Sequence, residues 1–188
     1  MSNKDFNLDR IYSNLNESLK QNRRADVFLN TKNYNEIKIL LENQQTNVDS
    51  EELKKLLCVL FYSRPYPLQL DHVLINLLDK DLTPDLLNNL ISVNTKVIIE
   101  RSHALGTKVN KDLLLKFETI LENCSLENYF WILHAIDLTG VPAIKLFKKA
   151  LERRPKFYNL FNKYYWKSMQ HLRMLEIKFA PILQKSSH

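Results

Sequence analysis

Glycine is scarce in this chain, with only Gly106 and Gly140 among 188 residues. No Asn-Gly or Asp-Gly pair is present to close a tight hairpin, so sheets are disfavoured. The same scarcity argues against a loop that cradles phosphate, and no GxGxxG, GxxxxGKS/T, GxSxG or HExxH pattern occurs. Cysteine is equally rare. Cys58 in Leu-Leu-Cys-Val-Leu and Cys124 in Glu-Asn-Cys-Ser form no CxxC pair and read as two reduced thiols. The longest apolar run, Leu56 to Tyr62, falls far short of the roughly 20 residues that cross a bilayer. The opening Met1-Ser2-Asn3-Lys4-Asp5-Phe6-Asn7 has no basic segment leading into an apolar run. The expectation is a soluble, cytoplasmic protein without a secretory signal.

What is present is helical patterning. The 45% apolar content suffices for a sizeable core, and its apolar residues recur at helical spacing between short segments rich in caps and prolines. Asp49 caps a stripe of Leu53, Leu56, Leu57, Leu60 and Phe61, with a glutamate placed to reach back. Thr83-Pro84-Asp85 reads as cap, first-turn proline and helix-start acid before Leu86, Leu87, Leu90 and Ile91. Asn110 precedes Leu113, Leu114, Phe117, Ile120 and Leu121. Ser125 caps Tyr129, Ile132, Leu133 and Ile136, and Pro142 opens a helix with Ile144, Phe147 and Leu151. With Phe6–Lys20 and a long C-terminal helix, the pattern predicts about ten helices joined by short links.

The two glycines lie 34 residues apart, each ending one apolar helix and introducing the next. A third copy runs from Leu57 to Pro65 and on through Leu68, Val73, Leu74, Leu77 and Leu78. In the final copy an aromatic-apolar helix, a glycine turn, a proline and Ala143-Ile144-x-Leu146-Phe147-x-x-Ala150-Leu151 follow in order, which resembles a HEAT-like helical repeat over residues 53–152. The resemblance implies an irregular α-solenoid of antiparallel helical hairpins, a scaffold that binds a partner along one face and carries no active site. An irregular helical bundle is the alternative. Either way the expected organisation is one all-α domain over residues 1–188, with N-terminal cap helices (1–48), repeats (49–152) and a long basic, aromatic C-terminal helix (153–188).

Candidate chemistry is sparse. His72, His103 and His134 are each 31 residues apart, but they stand at different offsets from the glycines and read as structural. His134 and Asp137 share a helix face at i, i+3, with no second pair to complete a metal shell. Asp79, Asp81 and Asp85 fit helix-start roles. No metal, cofactor or catalytic residue is expected, and the chain is read as non-enzymatic.

Charge supplies the outward-facing signal. From Val141 to His188 there are eleven Lys and Arg against two Asp and Glu, a net of +9, leaving −3 for the preceding 140 residues. The final helix is expected from Lys156 to about Ala180, stopping near Pro181, with Phe157, Leu160, Phe161, Tyr164, Leu172, Leu175 and Phe179 on its core face and Ser168 at a point of close approach. Trp166 projects to the opposite side, flanked by Lys163, Gln170 and Arg173, with Asn162, Met169 and Ile177 nearby. The candidate partner-binding set is Lys145, Lys148, Lys149, Arg153, Arg154, Lys163, Trp166 and Arg173. An acidic protein surface would bury the tryptophan, with lysines steering encounter. RNA or DNA would take the cations on phosphates and stack a base on Trp166 or Tyr165. Membrane contact ranks last because the apolar face is better used as core. In a bland alternative the helix is sandwiched, or Trp166 covers a neighbouring loop while the lysines simply solvate the surface.

Overall fold

The structure is a computed structural model that describes residues 6–23, 25–65, 68–156 and 161–185. It is all-α, with strand limited among the described residues to one pair of two-residue segments. The chain divides into two compact units, Met1–Ile98 and Ile99–His188. The boundary falls within a π-helical segment, Thr95–Glu100.

The first unit contains α1 (Leu8–Lys20), β1 (Val27–Phe28), α2 (Thr31–Thr46), α3 (Ser50–Phe61), β2 (Ser63–Arg64), α4 (Asp71–Leu77) and α5 (Pro84–Asn94). β1 and β2 pair in parallel, Val27 with Ser63 and Phe28 with Arg64, which requires a crossover that α2 and α3 supply. Asp49 caps α3 through the amides of Glu51 and Glu52 as expected. The reach-back differs. The Asp49 amide donates to Gln44 Oε1 at 2.7 Å, and Gln44 Nε2 donates to Glu52 at 2.6 Å, so buried Gln44 fills the role assigned to the glutamate. Ile37, Leu41, Leu53, Leu56, Leu57, Leu60, Leu74 and Leu90 are fully buried in this unit. Asn94, also fully buried, donates its amide to the carbonyls of Leu74 and Leu90 where α5 gives way to the π-helical segment.

The second unit contains α6 (Arg101–Leu105), α7 (Lys111–Ile120), α8 (Leu126–Thr139), α9 (Ile144–Glu152) and α10 (Lys163–Lys185). Asn110 and Ser125 cap α7 and α8 through Asp112 N and Asn128 N, as their positions predict. Tyr129, near the start of α8, donates its hydroxyl to the Ala150 carbonyl late in α9 at 2.8 Å, so α8 and α9 run antiparallel. Tyr164 reaches Glu127 at the start of α8 and Lys178 reaches Asp137 near its end, so α10 runs in the same direction as α8. Phe147 of α9 stacks on Phe179 of α10 with ring centroids 4.8 Å apart. Fully burying side chains such as Phe147, Phe179, Leu172 and Ile132 contributes about 1.5–3 kcal/mol each.

The last helix departs from its expected bounds. It begins at Lys163, after a turn in which the Asn162 side chain accepts from Tyr164 N at 2.9 Å, and Pro181 lies inside it rather than ending it. Phe161 lies ahead of the helix and is fully exposed instead of core-facing, and Tyr164 is half-buried. Phe157, Leu160 and the Leu68 side chain lie outside the described residues.

Both glycines end helices with positive φ, as their spacing predicts. Gly106 closes α6 in the left-handed region (φ 64°, ψ 23°), and Gly140 closes α8 at φ 70°, ψ −139°, a region open essentially to glycine alone. A Cβ would meet nothing within 4 Å at either site, so the cost of substitution is purely conformational. Gly106→Ala is expected to cost about 1 kcal/mol and Gly140→Ala ~1–3 kcal/mol, readable by urea unfolding. Equal, negligible losses at both would contradict this account.

Candidate functional site

The core stripe of α10 is Tyr165, Ser168, Leu172, Leu175 and Phe179, all buried. These positions alternate by three and four residues, which places one helix face against the rest of the unit and fixes the opposite face in solvent. The solvent face carries Lys163, Trp166, Gln170, Arg173 and Ile177. Trp166 is 62% exposed and Ile177 78%, and Met174 beside them is also exposed. Trp166 is therefore largely in solvent rather than sandwiched. Its indole stands edge-on to Tyr165, centroids 5.3 Å apart. Tyr165 itself is buried and unable to stack on an incoming base, contrary to the alternative raised from sequence; its register puts it one residue off the exposed face. Lys163 Nζ lies 4.8 Å from the Tyr164 ring, a cation–π contact.

The predicted cations do not form one undivided field. Lys149 binds Glu122 at 2.7 Å, holding that carboxylate below its usual pKa, and Arg154 is paired with Glu176 on α10. Both are partly committed to holding helices together. Lys148 and Arg153 are exposed, and Lys145 lies beside α7 and the end of α8 in a surface cleft. Lys163 and Arg173 alone share a stripe with Trp166, and exposed Lys167 adjoins them. Lys167 was not singled out in the sequence, although its place next to Trp166 was available as a signal.

A second constellation joins α8 to α10. His134 Nε2 lies 3.4 Å from Glu100 Oε1, the His134 and His171 rings are 6.1 Å apart, and His171 Nε2 lies 3.5 Å from Asp137 Oδ2. Lys178 Nζ donates to Asp137 Oδ1 at 2.6 Å and to its carbonyl at 2.7 Å. Phe130 packs against the His171 ring and Trp131 against His134. The i, i+3 pair His134 and Asp137 thus converges, as the spacing allowed, but on partners from α10 and the π-helical segment that sequence separation concealed. Burial pushes His171 below the ordinary imidazole pKa; Asp137 opposes that, while His134 and Lys178 reinforce it. Burial would raise Asp137, but the bond and charge of Lys178, with His171, outweigh it and leave the carboxylate low. Among the described residues no three His, Cys, Asp or Glu are arranged to hold a metal.

Among the described residues the other two histidines have unrelated partners, His103 with the Leu138 carbonyl at 3.1 Å and His72 with Asn76. The two cysteines are free, and burial raises the Cys124 thiol to about 11. Among the described residues no helix is long and apolar enough to cross a membrane. In comparisons with known proteins, no family model, no curated protein and no solved structure matches the chain.

Because the folded pKa of His171 lies below its unfolded value of 6.5, the unfolded chain takes up the proton first as pH falls. Its contribution to stability is complete above about pH 6.5 and declines below it. Asp137 acts in the same direction only at lower pH, nearer 3.8 and below. His171→Asn is expected to shrink the loss of thermal midpoint between pH 7.5 and 5.5 relative to wild type, measured by circular dichroism. An unchanged or larger loss would show that His171 does not titrate in this way.

Proposed function

We propose that the chain is a non-enzymatic helical-repeat module, an adaptor or assembly factor, that binds an acidic surface of a partner protein through the solvent face of α10. The observation that carries this reading is Trp166, 62% exposed on one stripe with Lys163 and Arg173 and continued by Ile177. Lys163 to Ile177 spans about 21 Å of helix, enough to lie along a partner helix or groove. Removing the indole and Ile177 from water supplies affinity, and tryptophan and arginine are the side chains that dominate protein interfaces when desolvated. The surrounding cations steer an acidic partner and set orientation. Lys145, Lys148 and Arg153 extend the positive field along α9 and its end. In this unit α8 and α10 run alongside in one direction with α9 returning between them in sequence, directions that a HEAT-like repeat and an irregular bundle share.

RNA or DNA is the competing ligand, and salt distinguishes it. Phosphate contacts make affinity fall steeply with ionic strength, whereas a tryptophan-centred protein interface depends on salt much less. The test pairs anisotropy titrations of labelled single- and double-stranded RNA and DNA, at low and moderate salt, with affinity capture from cell extract using wild type, Trp166→Ala and Arg173→Glu. The expected result is no salt-steep oligonucleotide binding, together with an acidic protein retained by wild type. Trp166→Ala should weaken that complex by about 2 kcal/mol, roughly thirtyfold, in subsequent titration. Steeply salt-dependent oligonucleotide binding lost in the same variants would replace the protein partner with a nucleic acid.

A further inference from the structure

The second unit also contains a cleft of about 750 Å³ that the α10 face does not use. It opens where α6 ends, α7 begins, α8 ends and α9 begins, and residues from all four junctions line it. The local sequence builds it. Gly106 turns the chain out of α6, Thr107 N bonds back to the Ser102 carbonyl at 2.9 Å, and Asn110 starts α7 after only three further residues. His103 then ties the end of α6 to the Leu138 carbonyl of α8.

The lining has a distinctive chemistry. Leu114, Leu115, Leu138 and Pro142 make its walls mostly apolar, and Leu115 is 57% exposed, an isolated leucine facing solvent on the cleft side of α7. Lys108, Lys111 and Lys145 stand at it, all exposed, against a single carboxylate, Glu118. Elsewhere in this unit Lys149, Arg154 and Lys178 each hold a carboxylate. Among the described residues none of the three cleft lysines is in an ion pair. Three lysines against one carboxylate give the lining a net positive charge, which favours an anion. The volume falls in the range that encloses a small organic ligand, about 300–1,000 Å³. Among the described residues no Phe, Tyr or Trp lines the cleft, so nothing there is offered to stack on a nucleobase.

We infer that this cleft binds a small amphiphilic carboxylate, an aliphatic chain against Leu114, Leu115, Leu138 and Pro142 with its anionic head among Lys108, Lys111 and Lys145. The site is independent of the α10 face: occupancy needs neither Trp166 nor Arg173.

The probe is dodecanoate, titrated by calorimetry below its micellar range into the full chain, with uncharged dodecanol as the matched control. Variants are a Lys108→Ala, Lys111→Ala, Lys145→Ala triple and Leu115→Glu, both at exposed positions, with Trp166→Ala as the control for the other face. Saturable one-to-one binding of dodecanoate is expected, weakened about tenfold or more in the triple variant and in Leu115→Glu and unchanged in Trp166→Ala. Dodecanol should bind the wild type about tenfold more weakly than the carboxylate. In wild type, methyl resonances of Val109, Leu114, Leu115 and Leu138 should shift together on titration, a readout that needs no variant to fold. The inference is overturned by absence of saturable binding, by equal affinity for dodecanol and dodecanoate, by affinity retained in the lysine triple, or by shifts centred away from these methyls.

Discussion

The candidate interface on the second unit depends on which side of α10 is buried. Tyr165, Ser168, Leu172, Leu175 and Phe179 settle that question by packing as one stripe. A helix has no freedom left once such a stripe is buried, because rotating it by one position would expose Phe179 and Leu172 at a cost of about 1.5–3 kcal/mol each while burying lysine or arginine. Trp166, Arg173 and Ile177 are exposed as a consequence. Ion pairs lock the same register from the side, with Lys178 on Asp137 and Arg154 on Glu176. Such pairs add little individually at an exposed surface, and burial of the apolar stripe holds the helix more strongly than they do.

Charge in this unit is sorted by function. Cations next to helix interfaces meet carboxylates there: Lys149 with Glu122, Arg154 with Glu176, Lys178 with Asp137. Other cations lie around Trp166, along α9, and around the apolar cleft at the α6–α7 and α8–α9 links. A sum over residues treats all of these alike. The field that a partner meets at close range comes mainly from the second group, because a paired cation is largely neutralised within a Debye length. The histidine cluster belongs with the interfaces, since Glu100, His134, His171 and Asp137 join α8 to α10 and the π-helical segment and leave His171 mostly buried.

Local determinants were legible in the amino-acid order because they act over three to four residues. The caps at Asp49, Thr83, Asn110 and Ser125, the glycine stops at 106 and 140, and the all-α class follow from hydrogen-bonding and backbone preferences that need no distant partner. The side of α10 that carries Trp166 was legible as well, being a matter of angle around one helix axis, but its exposure was not. Nor was the start of α10. The helix begins only at Lys163, after a turn at Asn162, and the 100° count that assigned Phe161 to the core carries no mark for that late start.

Long-range pairing was decided only in three dimensions. Gln44 taking over the cap interaction of Glu52, the parallel pairing of Val27 with Ser63, the meeting of His134 with Glu100 and His171, and the cleft that gathers Lys108, Lys111 and Lys145 all join groups on separate elements. The sequence by itself determined which segments become helices and, for most of them, the capping residue and the apolar side, since those are properties of neighbouring residues along the chain. Tertiary structure alone decided which charges are neutralised and which stand free beside an apolar surface. That depends on the packing of helices far apart in sequence, where a shift of one residue in register exchanges a paired lysine for a solvent-facing one.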